Sequence, residues 1–293
     1  MAVMKLAIIG AGAVGGYFGA LLHESGADVT LVARGQTLEM LKTQGLHISD
    51  SNGERYVSVP AVESVAELKD VDVVLVATKA LSRSTNPREL LAGLPKTATV
   101  AMTQNSVEAA DIFADFLGKD RVWPGVIRGF FVHEGPARVS YRGGPLSYTF
   151  PAGNKEFAET LRNAGIEAIE HPDILVDVWE KAMFVETFGG LGAFVDKQLG
   201  ILRTHFRASL EAMMEEVAEV ARAAGVKLPS DAVERTMVFS DRMPAESTSS
   251  MQRDLAASDD SELDAQTGAI VRAGQKWGVK TPLHDLIYAG LSL

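Results

Sequence analysis

The sequence predicts an α/β protein: an N-terminal doubly wound parallel sheet followed by an all-helical C-terminal domain. Three observations predict it. Short β-branched and aliphatic runs alternate with helix-period segments through the first half of the chain. The first such run enters a glycine-rich turn that opens a helix. After residue 169 no strand-like run recurs, and helical periodicity takes over.

Residues 6–9 (LAII) form the first strand, and residues 14–23 have helical spacing. Residues 28–33 (DVTLVA) are the second strand. Residues 71–78 (VDVVLVAT) are a third, followed by polar punctuation and Pro87; residues 99–103 and 122–127 follow. Strands that are apolar throughout, rather than alternating, are buried on both faces, as in a parallel sheet covered by helices. Two weaker strands, 138–141 and 146–150, flank Gly143, Gly144 and Pro145 and read as a hairpin on the sheet edge. A helix over 154–164 and a short strand over 166–169 close this part. Past His171 and Pro172 come helical stretches at 174–188, 206–224, 231–242 and 262–277; Gly225 ends the second and Gly278 the last. The expected domains are therefore 1–170, dinucleotide-binding, and 171–293, helical and carrying substrate and catalytic residues.

Composition narrows the function classes. A net charge of −10 argues against a general nucleic-acid-binding face. With no cysteine there is no disulfide and no thiolate nucleophile, and the six histidines lack HxH or HxxxH spacing, so no metal site is expected. No apolar run reaches the roughly 18 residues of a membrane span. The short run before the glycine turn does not read as a signal peptide. The expectation is a cytoplasmic protein with a small-molecule substrate and neither nucleic acid nor membrane as partner.

Gly10, Gly12 and Gly15 give G-x-G-x-x-G, with Ala13 and Val14 at the helix start. The first glycine permits a tight turn, the second lets backbone approach a pyrophosphate, and the third lets helix and strand pack closely. Free N–H groups and the positive dipole end of the helix face the phosphates. This makes the first domain Rossmann-type. An NAD-preferring site ends the second strand with Asp or Glu, which accepts from the ribose 2′-hydroxyl. Here that strand ends in Ala33-Arg34, whose guanidinium can pair a 2′-phosphate, so NADPH is the expected cofactor.

Hydride transfer to a ketone leaves an alkoxide that needs a proton donor. Lys79 and Asn105 each follow a strand, at the edge where ligands bind; read singly, each is equally a solvated loop charge or a turn former. Lys181 lies among Trp179, Ala182, Met183 and Phe184. Desolvation there would suit a general acid, although a lysine can also run its stem along an apolar helix and keep its head in water. Glu262, read as the start of the last long helix, is by periodicity only a first-turn capping carboxylate.

Taken together these positions resemble the ketopantoate reductase (2-dehydropantoate 2-reductase) family over essentially the whole chain. The likeness rests on the glycine turn, Arg34, "TKA" at 78–80, "QN" at 104–105, "WEK" at 179–181, "SSMQRD" at 249–254 and "SELD" at 261–264. It implies NADPH-dependent reduction of a 2-oxo acid, ketopantoate to pantoate, as in pantothenate biosynthesis. It implies Lys181 as general acid and Glu262 as the carboxylate that binds the substrate hydroxyl and positions Lys181. It implies Ser250 as donor to the substrate carboxylate, and Asn105 between nicotinamide and substrate. Lys79 would lie near the nicotinamide ribose and Arg34 at the 2′-phosphate. The family's asparagines four and eight residues after the lysine are here Val185 and Gly189; a third is Leu199, and the glycine after "QN" is Ser106. These departures point toward another branched or aromatic 2-oxo acid, as in D-mandelate-type dehydrogenases. A non-catalytic NADP-binding sensor or scaffold is the remaining alternative, and retention of both Lys181 and Glu262 argues against it. A homodimer is compatible with the resemblance.

Overall fold

The computed structural model describes residues 4–81, 86–257 and 260–293. The chain divides into two compact units. Among the described residues, the first holds 4–79, 86–104 and 110–174; the second holds 80–81, 105–109 and 175–293.

The first unit is built on strands β1 (Lys5–Ile9), β2 (Asp28–Val32), β3 (Leu46–Asp50), β4 (Gly53–Val57), β5 (Ala61–Val62), β6 (Val73–Val76), β7 (Thr99–Met102), β8 (Val122–Trp123), β9 (Val126–Arg128), β10 (Phe131–Gly135), β11 (Arg138–Tyr141), β12 (Ser147–Pro151) and β13 (Glu167–His171). Between them run helices α1 (Ala13–Glu24), α2 (Gly35–Thr43), α3 (Pro87–Leu90), α4 (Ala109–Leu117) and α5 (Lys155–Asn163). Six strands form one parallel sheet in the order β5-β2-β1-β6-β7-β8. The order reverses at β1: the chain winds outward through β2 and later returns beside β1 as β6. That is the doubly wound, Rossmann-type arrangement, whose switch point is where ligands bind. The continuous apolar runs have the expected cause, since Ala7, Ile8, Val74, Leu75, Val76 and Val100 are almost fully buried.

The expected edge hairpin is corrected. β11 and β12 lie in different sheets: β11 pairs with β10 and β3, while β12 pairs with β13 and β9. Gly143 and Gly144 both take positive φ and lead the chain from one sheet to the other instead of folding it back. Likewise 122–127 is two strands, because Pro124 has no N–H to give a ladder. A Cβ on Gly125 would lie 2.2 Å from Tyr148 Oη, so only glycine fits the break. The β3–β5 region, where polar and apolar residues mix, is strand although its sequence signal is weak.

The second unit is helical: α6 (Ile174–Val195), α7 (Leu199–His205), α8 (Arg207–Ala223), α9 (Ala232–Arg242), α10 (Ser250–Ala256), α11 (Thr267–Trp277) and α12 (Pro282–Leu291). Its core joins Trp179, Met183, Leu210, Met213, Met237 and Ile270. α6 runs beyond the expected 188 through Gly189, Gly190 and Gly192. Glycine is a poor helix former, but here close packing decides: a Cβ on Gly190 would sit 3.2 Å from Thr267 Oγ1. α11 starts at Thr267, not at 262. Residues 262–266 are turns, because Gln266 adopts φ −100°, ψ −89° and the Asp264 carbonyl accepts from Arg272 Nη2 at 2.8 Å. Among the described residues, no helix is long and apolar enough to cross a membrane.

Candidate active site

In the first unit the ends of β2, β1 and β6 are neighbours on one edge of the sheet. They carry Arg34, the glycine turn and Lys79. Gly10 has φ +97°, and a Cβ there would lie 2.9 Å from Thr78 Cγ2 and 3.0 Å from Thr78 N. A Cβ on Gly15 would lie 2.0 Å from the Gly10 carbonyl oxygen. The fold itself therefore demands these two glycines. Gly12 differs, for a Cβ there would meet nothing within 4 Å. Its openness leaves room for a group that comes from outside the chain. Gly12 supplies no side-chain cap to α1, and the first turn, beginning Ala13-Val14, holds no acid. The N–H groups at this end are thus suited to an anion, and the turn fits a dinucleotide pyrophosphate. Arg34 and Lys79 are both exposed at this edge.

In the second unit Lys181 and Asn105 meet across 76 positions of sequence. Lys181 Nζ donates to Asn105 Oδ1 at 2.6 Å, and both residues are half-buried. Glu262 is buried, at 7% exposure. Its Oε1 accepts from the Ala80 backbone N–H at 2.8 Å and its Oε2 from Gln266 Nε2 at 3.3 Å. Glu262 is thus not the first-turn cap expected from periodicity. It is a carboxylate folded inward from the turn before α11.

Arg272 on α11 holds these pieces in place. It reaches Glu108, three residues past Asn105, through Nε at 3.1 Å and Nη2 at 2.8 Å. Its Nη1 donates to Asp264 Oδ1 at 2.8 Å, and the Tyr288 hydroxyl of α12 donates to the same oxygen. Burial works against ionised Asp264, but Tyr288 and Arg272 outweigh it and hold its carboxyl below the usual range. One guanidinium thereby fixes both the segment that carries Asn105 and the turn that carries Glu262.

The "SSMQRD" stretch divides its work. Ser249 is buried and caps α10, its Oγ accepting from Gln252 N at 2.9 Å. Gln252 Nε2 donates to the carbonyls of Gly192 and Lys197, tying α10 to the end of α6. Ser250 is the first residue of α10 and is exposed. Val185 is half-buried one turn past Lys181. A Cβ on Gly189 would lie 3.0 Å from Ser249 Oγ and 3.1 Å from Met251 Cε, so those two side chains occupy the space a larger residue would need. Leu199 is fully buried in the core of the unit.

Sequence reasoning missed Glu186. It is 3% exposed on α6, and its Oε2 has no hydrogen-bond partner among the described residues. Burial pushes its carboxyl well up, and the neighbouring charge of Glu262 pushes the same way. The available signal was one acid inside the run MFVETFGG, in which Thr187 is the only other polar side chain. Nothing in the sequence singled out Arg272, because its partners lie 164 and eight positions away.

The family model described as ketopantoate reductase PanE/ApbA matches residues 6–155, and the model of that family's C-terminal region matches residues 173–293. A 2-dehydropantoate 2-reductase of Archaeoglobus fulgidus is 29% identical over 287 residues, covering 95% of this chain and 94% of the relative. The crystal structure of a PanE/ApbA family ketopantoate reductase from Ralstonia eutropha JMP134 superposes with a TM-score of 0.89 at 30% identity, covering 99% of this chain and 97% of that one. D-mandelate dehydrogenase in a ternary structure with NADH and anilino(oxo)acetate gives a TM-score of 0.85 at 26% identity, with coverage of 99% and 97%. Both family models are matched in order, on the doubly wound sheet and helical unit just described, and so this chain belongs to the ketopantoate reductase family of NAD(P)-dependent oxidoreductases that act on 2-oxo acids.

Proposed function

We propose that the protein reduces a 2-oxo acid to the 2-hydroxy acid with NADPH, and that Lys181 is the general acid. The carrying observation is the 2.6 Å contact between Lys181 Nζ and Asn105 Oδ1, with buried Glu262 held by Ala80 and Gln266 in the same unit. When bound, the reduced nicotinamide supplies the hydride. The chain's own residues do the rest. Gly10, Gly12, Ala13, Val14 and Gly15 hold the pyrophosphate on the α1 N-terminus, Arg34 binds the 2′-phosphate, and Lys79 and Asn105 serve the nicotinamide end. The Ser250 hydroxyl, exposed at the start of α10, donates to the substrate carboxylate. Asn105 aims the ammonium of Lys181, which gives its proton to the nascent alkoxide and is reprotonated from water. Glu262 accepts from the substrate hydroxyl.

Ketopantoate is the substrate the family likeness favours. A second reading has its own support: Val185, Gly189 and Leu199 stand where family members carry pocket amides, and Met251 fills the space beside Gly189. A pocket stripped of amides favours a branched or aromatic side chain, because a polar substrate group would find no partner there. The structural neighbour carrying anilino(oxo)acetate is in keeping with it. NADPH oxidation against ketopantoate, ketoisovalerate and benzoylformate separates the two. The larger kcat/KM is expected on an apolar member if the pocket reading holds, and on ketopantoate if it does not. Binding of NADPH without turnover on any of the three would overturn the reductase reading.

Arg34→Ala is expected to raise KM for NADPH about tenfold, the effect of losing one charge-assisted contact, with KM for NADH little changed. Equal kcat/KM for the two cofactors, unaffected by Arg34→Ala, would remove the NADPH preference.

A further inference from the structure

We infer that Glu186 carries a proton at neutral pH and is a positioning residue for Glu262, a neutral acid set against a working carboxylate. This rests on the reading of Glu262 as a functional carboxylate of the site.

The placement comes first. Glu186 lies five residues past Lys181 on α6, about 140° around the helix, so it does not share the face of Lys181 and Val185. One turn further along, the backbone at Gly190 packs against Thr267 at the start of α11, with Ile287 of α12 and Met213 of α8 beside it. This side of α6 therefore looks toward the turn 262–266. α8 and α12 bring apolar side chains there, and their own ionisable pair, Glu216 and His284, closes on itself at 2.6 Å. Glu262 supplies the neighbouring charge. Among the described residues no Lys, Arg or His forms an ion pair with Glu186.

Two buried carboxyls side by side with no cation on one of them do not both ionise. Their hydrogen bonds decide which keeps the proton. Glu262 receives two donors, from Ala80 and Gln266, and donors stabilise the ionised form. Glu186 Oε2 receives none, and an ionised oxygen left there would meet the full desolvation cost. Among the described residues the Thr267 hydroxyl is the one donor beside Glu186 and favours its ionised form, but burial and the charge of Glu262 outweigh it. Gln266 Oε1 is a buried acceptor with no partner among the described residues. A proton on Glu186 removes the charge that burial and Glu262 oppose. The pair then holds one negative charge on Glu262, in a fixed orientation.

Infrared spectroscopy of the full-length protein tests the protonation state directly. At pH 7 wild type should show a carboxylic-acid C=O band that Glu186→Gln removes. Kinetics test the positioning role. Glu186→Ala should lower kcat/KM about tenfold, and Glu186→Gln, which keeps the shape and a donor, should restore most of it. If no such band is lost in Glu186→Gln, Glu186 is ionised and the inference fails. If Glu186→Gln is as impaired as Glu186→Ala, the charge is what matters, and the inference fails again. Loss of the band in a protein that reduces no 2-oxo acid would instead leave Glu186 neutral and refute the functional reading of the site. The band does not depend on turnover.

Discussion

Lys181→Ala is expected to lower kcat at least about 100-fold, the low end for removal of one general acid. NADPH affinity should be nearly unchanged, because the glycine turn and Arg34 are not altered. The measurement is kcat from steady-state NADPH oxidation, with cofactor binding followed separately by nicotinamide fluorescence. The substitution also strips Asn105 of the donor at 2.6 Å. Part of the loss is therefore orientational, and Lys181→Arg, which keeps the charge in a different geometry, should not rescue it. Near-normal turnover in Lys181→Ala would sink the proton-donor role.

The second large effect is on stability. Glu216 on α8 is buried, and its carboxylate closes the first turn of α12: Oε1 accepts from Leu283 N at 2.9 Å, while Oε2 accepts from His284 N at 3.1 Å and faces His284 Nδ1 at 2.6 Å. Removing one partner of such a buried pair costs about 3–5 kcal/mol. Glu216→Ala should thus lower Tm by of order 10 °C in a chain of this size. The pH dependence has a definite sign. Burial alone would raise the Glu216 carboxyl, but the His284 side chain and the two backbone N–H groups outweigh it and lower it below its usual 4.5. Ionised Glu216 therefore contributes stability that is complete above the unfolded-state value and is lost as pH falls through the folded-state value. The Tm gap between wild type and Glu216→Gln should narrow as pH drops below about 4.5. A constant gap from pH 7 to pH 3 would remove Glu216 from this role.

The parallel sheet was legible because its strands are buried on both faces and read as unbroken apolar runs. Of the four-stranded sheet β10-β11-β3-β4 only β11 was read, since a strand with one wet face and a bulge near His133 leaves only a weak pattern. The path of the chain after Gly144 was misread because two positive-φ glycines fit a hairpin turn and an exit equally well. Among the candidate site residues, Lys181 was picked out by its apolar surroundings and Asn105 by its place after a strand. Their contact is a product of tertiary folding. Periodicity misplaced Glu262, because apolar spacing continues through a turn that Gln266 breaks. Glu186 escaped because buried carboxylic acids look like surface acids until burial is known.

Residues 80–81 and 105–109 belong by their contacts to the helical unit, although they interrupt the sequence of the other one. A fragment cut after residue 174 would keep Lys181, Glu262 and Arg272. It would lose Asn105, Ala80 and Glu108, the partners that receive or supply their hydrogen bonds. The two halves of this gene are therefore not exchangeable cassettes. A chimera with a single crossover at the linear boundary would join Lys181 from one parent to its hydrogen-bond partner Asn105 from another. New substrate preferences are better sought by recombining the three stretches of the helical unit as one inheritance block.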